Sequence, residues 1–168
     1  DKGEQLSLLE GHWGGVTALA MVRPGRVVSG SADRSVMVWD LDSRCNVARL
    51  EGHTRAVTSL AVADDETLAS GSADNTIRLW DVKRERPLTT LRGHAASVTA
   101  LAFTARGRLV SASEDGTVRV WNLTDGSCEA VLDASKPLAC LAVLDNPESV
   151  VLGGRQGGCF ALELNPRT

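Results

Sequence analysis

Three sets of side chains in this 168-residue sequence have the types that nucleophilic hydrolysis needs: His12 with Ser29 and Asp33, His53 with Ser70 and Asp74, and His94 with Ser111 and Asp115. In that chemistry a carboxylate orients an imidazole, and the imidazole takes the serine proton as the hydroxyl attacks a carbonyl. A hydrolase is therefore one reading that the residue types allow. The three sets keep one register, each 41 residues after the last. An active site needs one set, so three copies fit a structural device better. No residue is assigned as catalytic.

Other candidates for chemistry are thinner. Gly153-Gly-Arg-Gln-Gly-Gly158 has the glycine content of a phosphate-cradling loop, but it lacks the Lys-Ser/Thr pair and the following helix. It reads as a turn between strands. Asn122-Leu-Thr124 is a formal glycosylation sequon, discounted because Asn122 stands where a repeated Trp-Asp pair has its Asp. Cys45, Cys128, Cys140 and Cys159 lie far apart without a CxxC pair, which excludes a close-spaced zinc ribbon and gives no disulfide framework. No metal and no cofactor is expected. Free cysteines point to a reducing compartment, the cytoplasm or the nucleus.

Composition narrows the partners. The sequence is 43% apolar and 23% charged with a net charge of −3, and such a balance lacks the basic face that nucleic acid requires. No apolar run approaches the ~18 residues of a membrane span. Neither nucleic acid nor membrane is expected as a partner. The first residues, Asp1-Lys-Gly-Glu-Gln5, are polar and read as no signal or transit peptide. Without an initiator Met, the chain reads as an excerpt of something longer.

The elements that must position these sets follow from the repeat. Gly-His occurs at 11–12, 52–53 and 93–94. Trp-Asp occurs at 39–40 and 80–81, with Trp121-Asn122 in the same register. Within the first unit, Val16–Met21, Val27–Ser31, Val36–Asp40 and Val47–Leu50 are short aliphatic or β-branched runs separated by turn chemistry. No stretch keeps a helical apolar period. The reading is all-β.

On Gly-His, Ser-x-Ser-x-Asp and Trp-Asp at this spacing, the sequence resembles the WD-repeat (Trp-Asp repeat) family of β-propellers. The resemblance implies radial four-stranded blades with the first strand of each lining a central channel. Regular repeats cover 11–51, 52–92 and 93–133 of a single unit spanning 1–168. A degenerate repeat, 134–168, carries Leu152, Gln156 and Leu162 where the signature has Ser, Asp and Trp. Its outer strand is expected from residues 5–10, as in the circularly permuted closure of this family. Four blades leave three closures open: an excerpt of a seven- or eight-bladed propeller, half of a two-chain eight-bladed ring, or a closed four-bladed ring. The second would be a homodimer through blade completion.

The resemblance also implies roles for the repeated residues. Each Asp holds its His, each His meets its Ser, and each Ser meets the indole of Trp39, Trp80 or Trp121, as structural tetrads. Partners of this family dock on the top face of the propeller. The positions presented there would be Gly15, Thr17 and Ala32, then Ala56, Thr58 and Ala73, then Ser97, Thr99 and Glu114. Pro137, Ala139 and Arg155 are the approximate equivalents in the last blade. Trp13 breaks the period, with Thr54 and Ala95 as counterparts. It is expected on a top loop near Arg34 and Arg55, either packed between loops or standing as an aromatic anchor. The implied function is a non-enzymatic scaffold or recognition module for protein or peptide partners. The alternative is the substrate-receptor or sensor propeller of a larger machine, a ubiquitin ligase or signalling ATPase. Trp80-Asp-Val-Lys83 comes near the Trp-Asp-x-Arg of some ligase receptors, but lysine lacks the arginine fork. A hydrolase is third.

Overall fold

The computed structural model describes residues 8–64, 66–145 and 148–164. Every regular element among them is a strand. Blade 1 consists of β1 (Val16–Arg23), β2 (Arg26–Ser31), β3 (Val36–Asp40) and β4 (Cys45–Leu50). Blade 2 follows with β5 (Val57–Val62), β6 (Thr67–Ser72), β7 (Ile77–Asp81) and β8 (Arg86–Leu91). Blade 3 contains β9 (Val98–Phe103), β10 (Leu109–Ser113), β11 (Thr117–Trp121) and β12 (Cys128–Asp133). Blade 4 contains β13 (Leu138–Asp145), β14 (Glu148–Gly154) and β15 (Cys159–Glu163). Each blade is an antiparallel meander in chain order, four-stranded in the first three and three-stranded, among the described residues, in the last. Leu8 to Glu10 carry no strand, and the rest of the expected completing strand lies outside the described residues.

Two local features refine the strand pattern. β1 runs two residues beyond Met21 to Arg23, which pairs with Arg26 around a turn in which Gly25 has φ 77°. The turn after each second strand places its third residue at positive φ: Arg34 at 74°, Asn75 at 68°, Gly116 at 82° and Gly157 at 86°. Glycine takes this conformation freely, asparagine with little penalty, and arginine at a cost. The glycine-rich stretch 153–158 is the last of these turns, with Gly157 N–H donating to the Gly154 carbonyl at 3.2 Å. Pro87 sits in the outer strand of blade 2 opposite Trp80, where its missing N–H disturbs no further ladder.

The first strands β1, β5, β9 and β13 lie side by side, so the blades stack face to face around them. Val28, Val36 and Val38 of blade 1 share a core with Val57, Leu68 and Trp80 of blade 2. Ala69, Ile77 and Leu79 pack against Val98, Leu109 and Trp121, and Val110, Val118 and Val120 against Leu138, Val150 and Leu152. Full burial of one such side chain contributes about 1.5–3 kcal/mol. Among the described residues the core is thus divided into three blade-to-blade layers.

Candidate functional site

The repeated His, Ser, Asp and Trp meet in each of the first three blades. His12 Nε2 lies 2.7 Å from Ser29 Oγ, and its Nδ1 lies 2.9 Å from Asp33 Oδ2. Trp39 Nε1 donates to the same Ser29 Oγ at 2.7 Å. In blade 2 the distances are 2.8 Å for His53–Ser70, 2.9 Å for His53–Asp74 and 2.8 Å for Trp80–Ser70. In blade 3 they are 2.7, 2.9 and 2.8 Å for His94–Ser111, His94–Asp115 and Trp121–Ser111. The strands impose this geometry: serine is central in the second strand, tryptophan lies at or next to the end of the third, and aspartate is the second residue of the turn between them.

The aspartate is a node of several bonds. Asp74 accepts from the Thr54 backbone N–H at 2.9 Å, the Thr76 N–H at 3.0 Å and the Thr76 hydroxyl at 2.6 Å. Burial would raise its carboxyl, but those donors and His53 hold it down at about 2. Asp115 is held at about 2 in the same way, against burial, chiefly by Thr117, the Ala95 N–H and His94. Asp33 lies lower still, opposed by burial and held by Ser35, the Trp13 N–H and His12. Burial pushes His53 and His94 below the usual imidazole value, against the pull of Asp74 and Asp115, with Arg78 and Arg119 adding to the depression.

Those arginines lie over the glycine of two of the three Gly-His pairs. A Cβ on Gly52 would stand 2.7 Å from an Arg78 guanidinium nitrogen, and one on Gly93 would stand 2.8 Å from that of Arg119. In blade 1 the space belongs to Met37, whose sulfur lies 3.1 Å from the same point at Gly11. Glycine lets the third strand's side chain cover the histidine loop.

Serine 29 has the partners of a hydrolytic nucleophile, yet its oxygen also accepts an indole N–H. That donation occupies a lone pair and lowers the basicity of the hydroxyl. Ser29 is 2% exposed, and Ser70 and Ser111 are fully buried. A groove of about 500 Å³ along blade 1 is lined by His12, Val16, Leu19, Val27, Ser29 and Trp39 among others. Among the described residues no group of three or more metal-ligating side chains exists.

The top-face positions come together as paired loops. The carbonyls of Gly15, Ala56, Ser97 and Pro137 accept from the N–H groups of Ala32, Ala73, Glu114 and Arg155, each at 2.9 Å. The threonines serve the scaffold: Thr17 Oγ1 donates to the carbonyls of Gly30 and Val57, Thr58 to those of Gly71 and Val98, and Thr99 to that of Ala112. Arg155 pairs with Glu114 at 2.5 Å, and Lys83 of the Trp-Asp-Val-Lys stretch pairs with Glu66 at 2.6 Å.

Trp13 is 87% exposed. Arg49 lies over its ring, 4.7 Å from the centroid. Arg34 lines the same groove of about 370 Å³ together with Asp33, Arg49 and Glu51. Arg55 bonds instead to the Ala73 carbonyl at 3.4 Å. Sequence reasoning missed Arg49. One signal was present, because its counterparts at the repeat spacing are Thr90 and Val131, so position 49 departs from the repeat in the same blade as position 13.

Face-packed antiparallel blades, the first three each tied by a His–Ser–Asp–Trp set, define a β-propeller repeat protein. The family model "WD domain, G-beta repeat" matches residues 3–40, 44–81 and 85–122, and the chain belongs to this WD40 family. Its members are typically protein-interaction scaffolds and usually non-catalytic. Among solved structures, the WD40 beta propeller domain of Doa1 is 26% identical with a TM-score of 0.87, over 94% of this chain and 53% of that one. U3-55K is also 26% identical, with a TM-score of 0.82, over 92% and 54% of the two chains. The computationally designed Ika4 protein is 33% identical with a TM-score of 0.86, over 98% of this chain and 100% of that one. The chain thus spans about half the length of Doa1's propeller domain and of U3-55K. No curated protein sequence gives a significant match.

Proposed function

We propose that this chain is a non-enzymatic scaffold that binds a protein or peptide partner on its top face, with Trp13 and Arg49 as the anchor. The exposed indole under the Arg49 guanidinium carries this reading. The backbone work at position 13 is an N–H bond to Asp33 at 2.9 Å, and Thr54 and Ala95 do the same work for Asp74 and Asp115 without an aromatic ring. That backbone bond therefore does not need the indole. Tryptophan and arginine are the residues that most often dominate binding energy at protein interfaces, and the pair is already stacked, which lowers the entropy lost on docking. The three tetrads serve as braces between strands in this reading, supported by serine burial and by the indole bond each serine accepts.

Selection of displayed peptides on the wild-type chain, followed by binding measurements on Trp13→Ala and Arg49→Ala, tests the proposal. Recovered peptides should lose binding to Trp13→Ala and to Arg49→Ala, and should shift the fluorescence of the exposed indole. Peptides that bind all three chains equally would place the docking surface elsewhere.

A further inference from the structure

We propose that the two open faces of this chain close on a second copy of it, with Val16 of one copy entering the hole at Gly153 of the other. Inside the chain, neighbouring blades use one device repeatedly. A Cβ on Gly30 would stand 2.5 Å from Val57 Cγ1, and one on Gly71 would stand 2.6 Å from Val98 Cγ1. The first residue of an inner strand is a knob, and the glycine of the preceding blade is its hole. Leu138 is the knob of blade 4 and shares a core with Ala112, the counterpart of those glycines. Val57, Val98 and Leu138 are all fully buried.

Val16 holds the same place in blade 1 and is 53% exposed, with Leu19 and Met21 open beside it. Among the described residues it is a knob without a hole. Gly153 is likewise a hole without a knob among them: the atom nearest its Cβ position is Cys140 Sγ of its own blade, at 2.5 Å. Cys159 pairs with Gly153 from the next strand and is exposed. Its counterparts Val36, Ile77 and Val118 are buried at 0%, 1% and 0%, each beneath the following blade. The two open faces are therefore the two halves of a contact that the chain already makes with itself.

The arc favours a second copy as the occupant. The four blades cover 53% of the Doa1 propeller domain at a TM-score of 0.87, so two arcs amount to one ring. Ika4, matched over 100% of its length, is a whole chain of the same extent. A two-fold axis would make the Val16–Gly153 contact twice and leave neither face open. It would also seal the blade 1 groove that reaches Ser29.

Light scattering of the 168-residue chain over a concentration series, combined with maleimide labelling read by mass spectrometry, tests this. The expected mass is twice 17.8 kDa. Cys159 should label about tenfold more slowly than Cys45, which is exposed on the outer strand of blade 1. Val16→Asp changes a side chain that the single chain leaves open, so it should fold, run at 17.8 kDa and label at Cys159 as fast as at Cys45. Gly153→Leu fills the hole from the other side and should do the same. A wild-type monomer at every concentration would overturn the proposal and leave the faces to further blades of a longer chain. So would a mass beyond the dimer, a dimer that survives both substitutions, or a dimer with Cys159 freely reactive.

Discussion

Trp80 Nε1 donates to Ser70 Oγ at 2.8 Å, joining the third strand of blade 2 to the second where both residues are buried. Removing the donor while keeping most of the ring isolates this bond. Trp80→Phe should lower stability by about 1–3 kcal/mol, because the Ser70 hydroxyl loses a buried partner. The urea midpoint reads it, and an unchanged midpoint would remove the brace from the account.

Glycine 71 gives a second test of how the blades are spaced. Its Cβ position lies 2.5 Å from Ser59 Oγ and 2.6 Å from Val98 Cγ1. Gly71→Ala should therefore force blades 2 and 3 apart and cost about 1–3 kcal/mol. Val98→Ala combined with it should restore part of the loss, since the intruding methyl is gone. A double variant weaker than the sum of the two would contradict the knob-and-hole description.

The repeat was legible because each of the first three blades writes the same local pattern: Gly-His before a strand, Ser within the next, Asp in the turn, Trp on the third. Strand positions followed from short β-branched runs bounded by turn residues. What sequence alone withheld depends on neighbours. Val16, Val57 and Val98 are the same residue in the same register, yet the first is open and the others are buried, because burial comes from the preceding blade. Arg49 reaches Trp13 from a distant strand, and no local pattern encodes that approach. The Arg78 and Arg119 positions were equally silent, since Met37 replaces them in blade 1.

Acid should weaken the blades in two stages. Both buried histidines are depressed below 6.5, so the unfolded chain binds protons there first, and their contribution is lost as pH falls below that value. Asp74 and Asp115 are depressed from 3.8 to about 2, so their contribution is complete above 3.8 and is lost as pH falls towards 2. Urea midpoints measured from neutral pH downward should therefore fall in both windows. Stability that rises as pH drops below 6.5 would show the histidines to be charged in the fold.

Trp13→Ala should leave the urea midpoint within about 0.5 kcal/mol of wild type, as for an exposed side chain away from the core. Its backbone bond to Asp33 survives the change. Because the other three tryptophans are buried, the variant should also shift emission to shorter wavelength. A large loss of stability would make the indole a packing residue instead of an anchor.

The claim that the tetrads brace the fold and do no chemistry is tested most directly at Ser29, whose groove opens one face of blade 1. The measurement is fluorophosphonate labelling of the chain and of its Val16→Asp variant, in which that groove stays open, alongside the urea midpoints of Ser29→Ala and Ser70→Ala. The account predicts no Ser29-dependent labelling and a loss of about 1–3 kcal/mol for each substitution, from stranding the buried indole donor. Labelling that Ser29→Ala abolishes, with its midpoint unchanged, would contradict the account and make Ser29 a nucleophile.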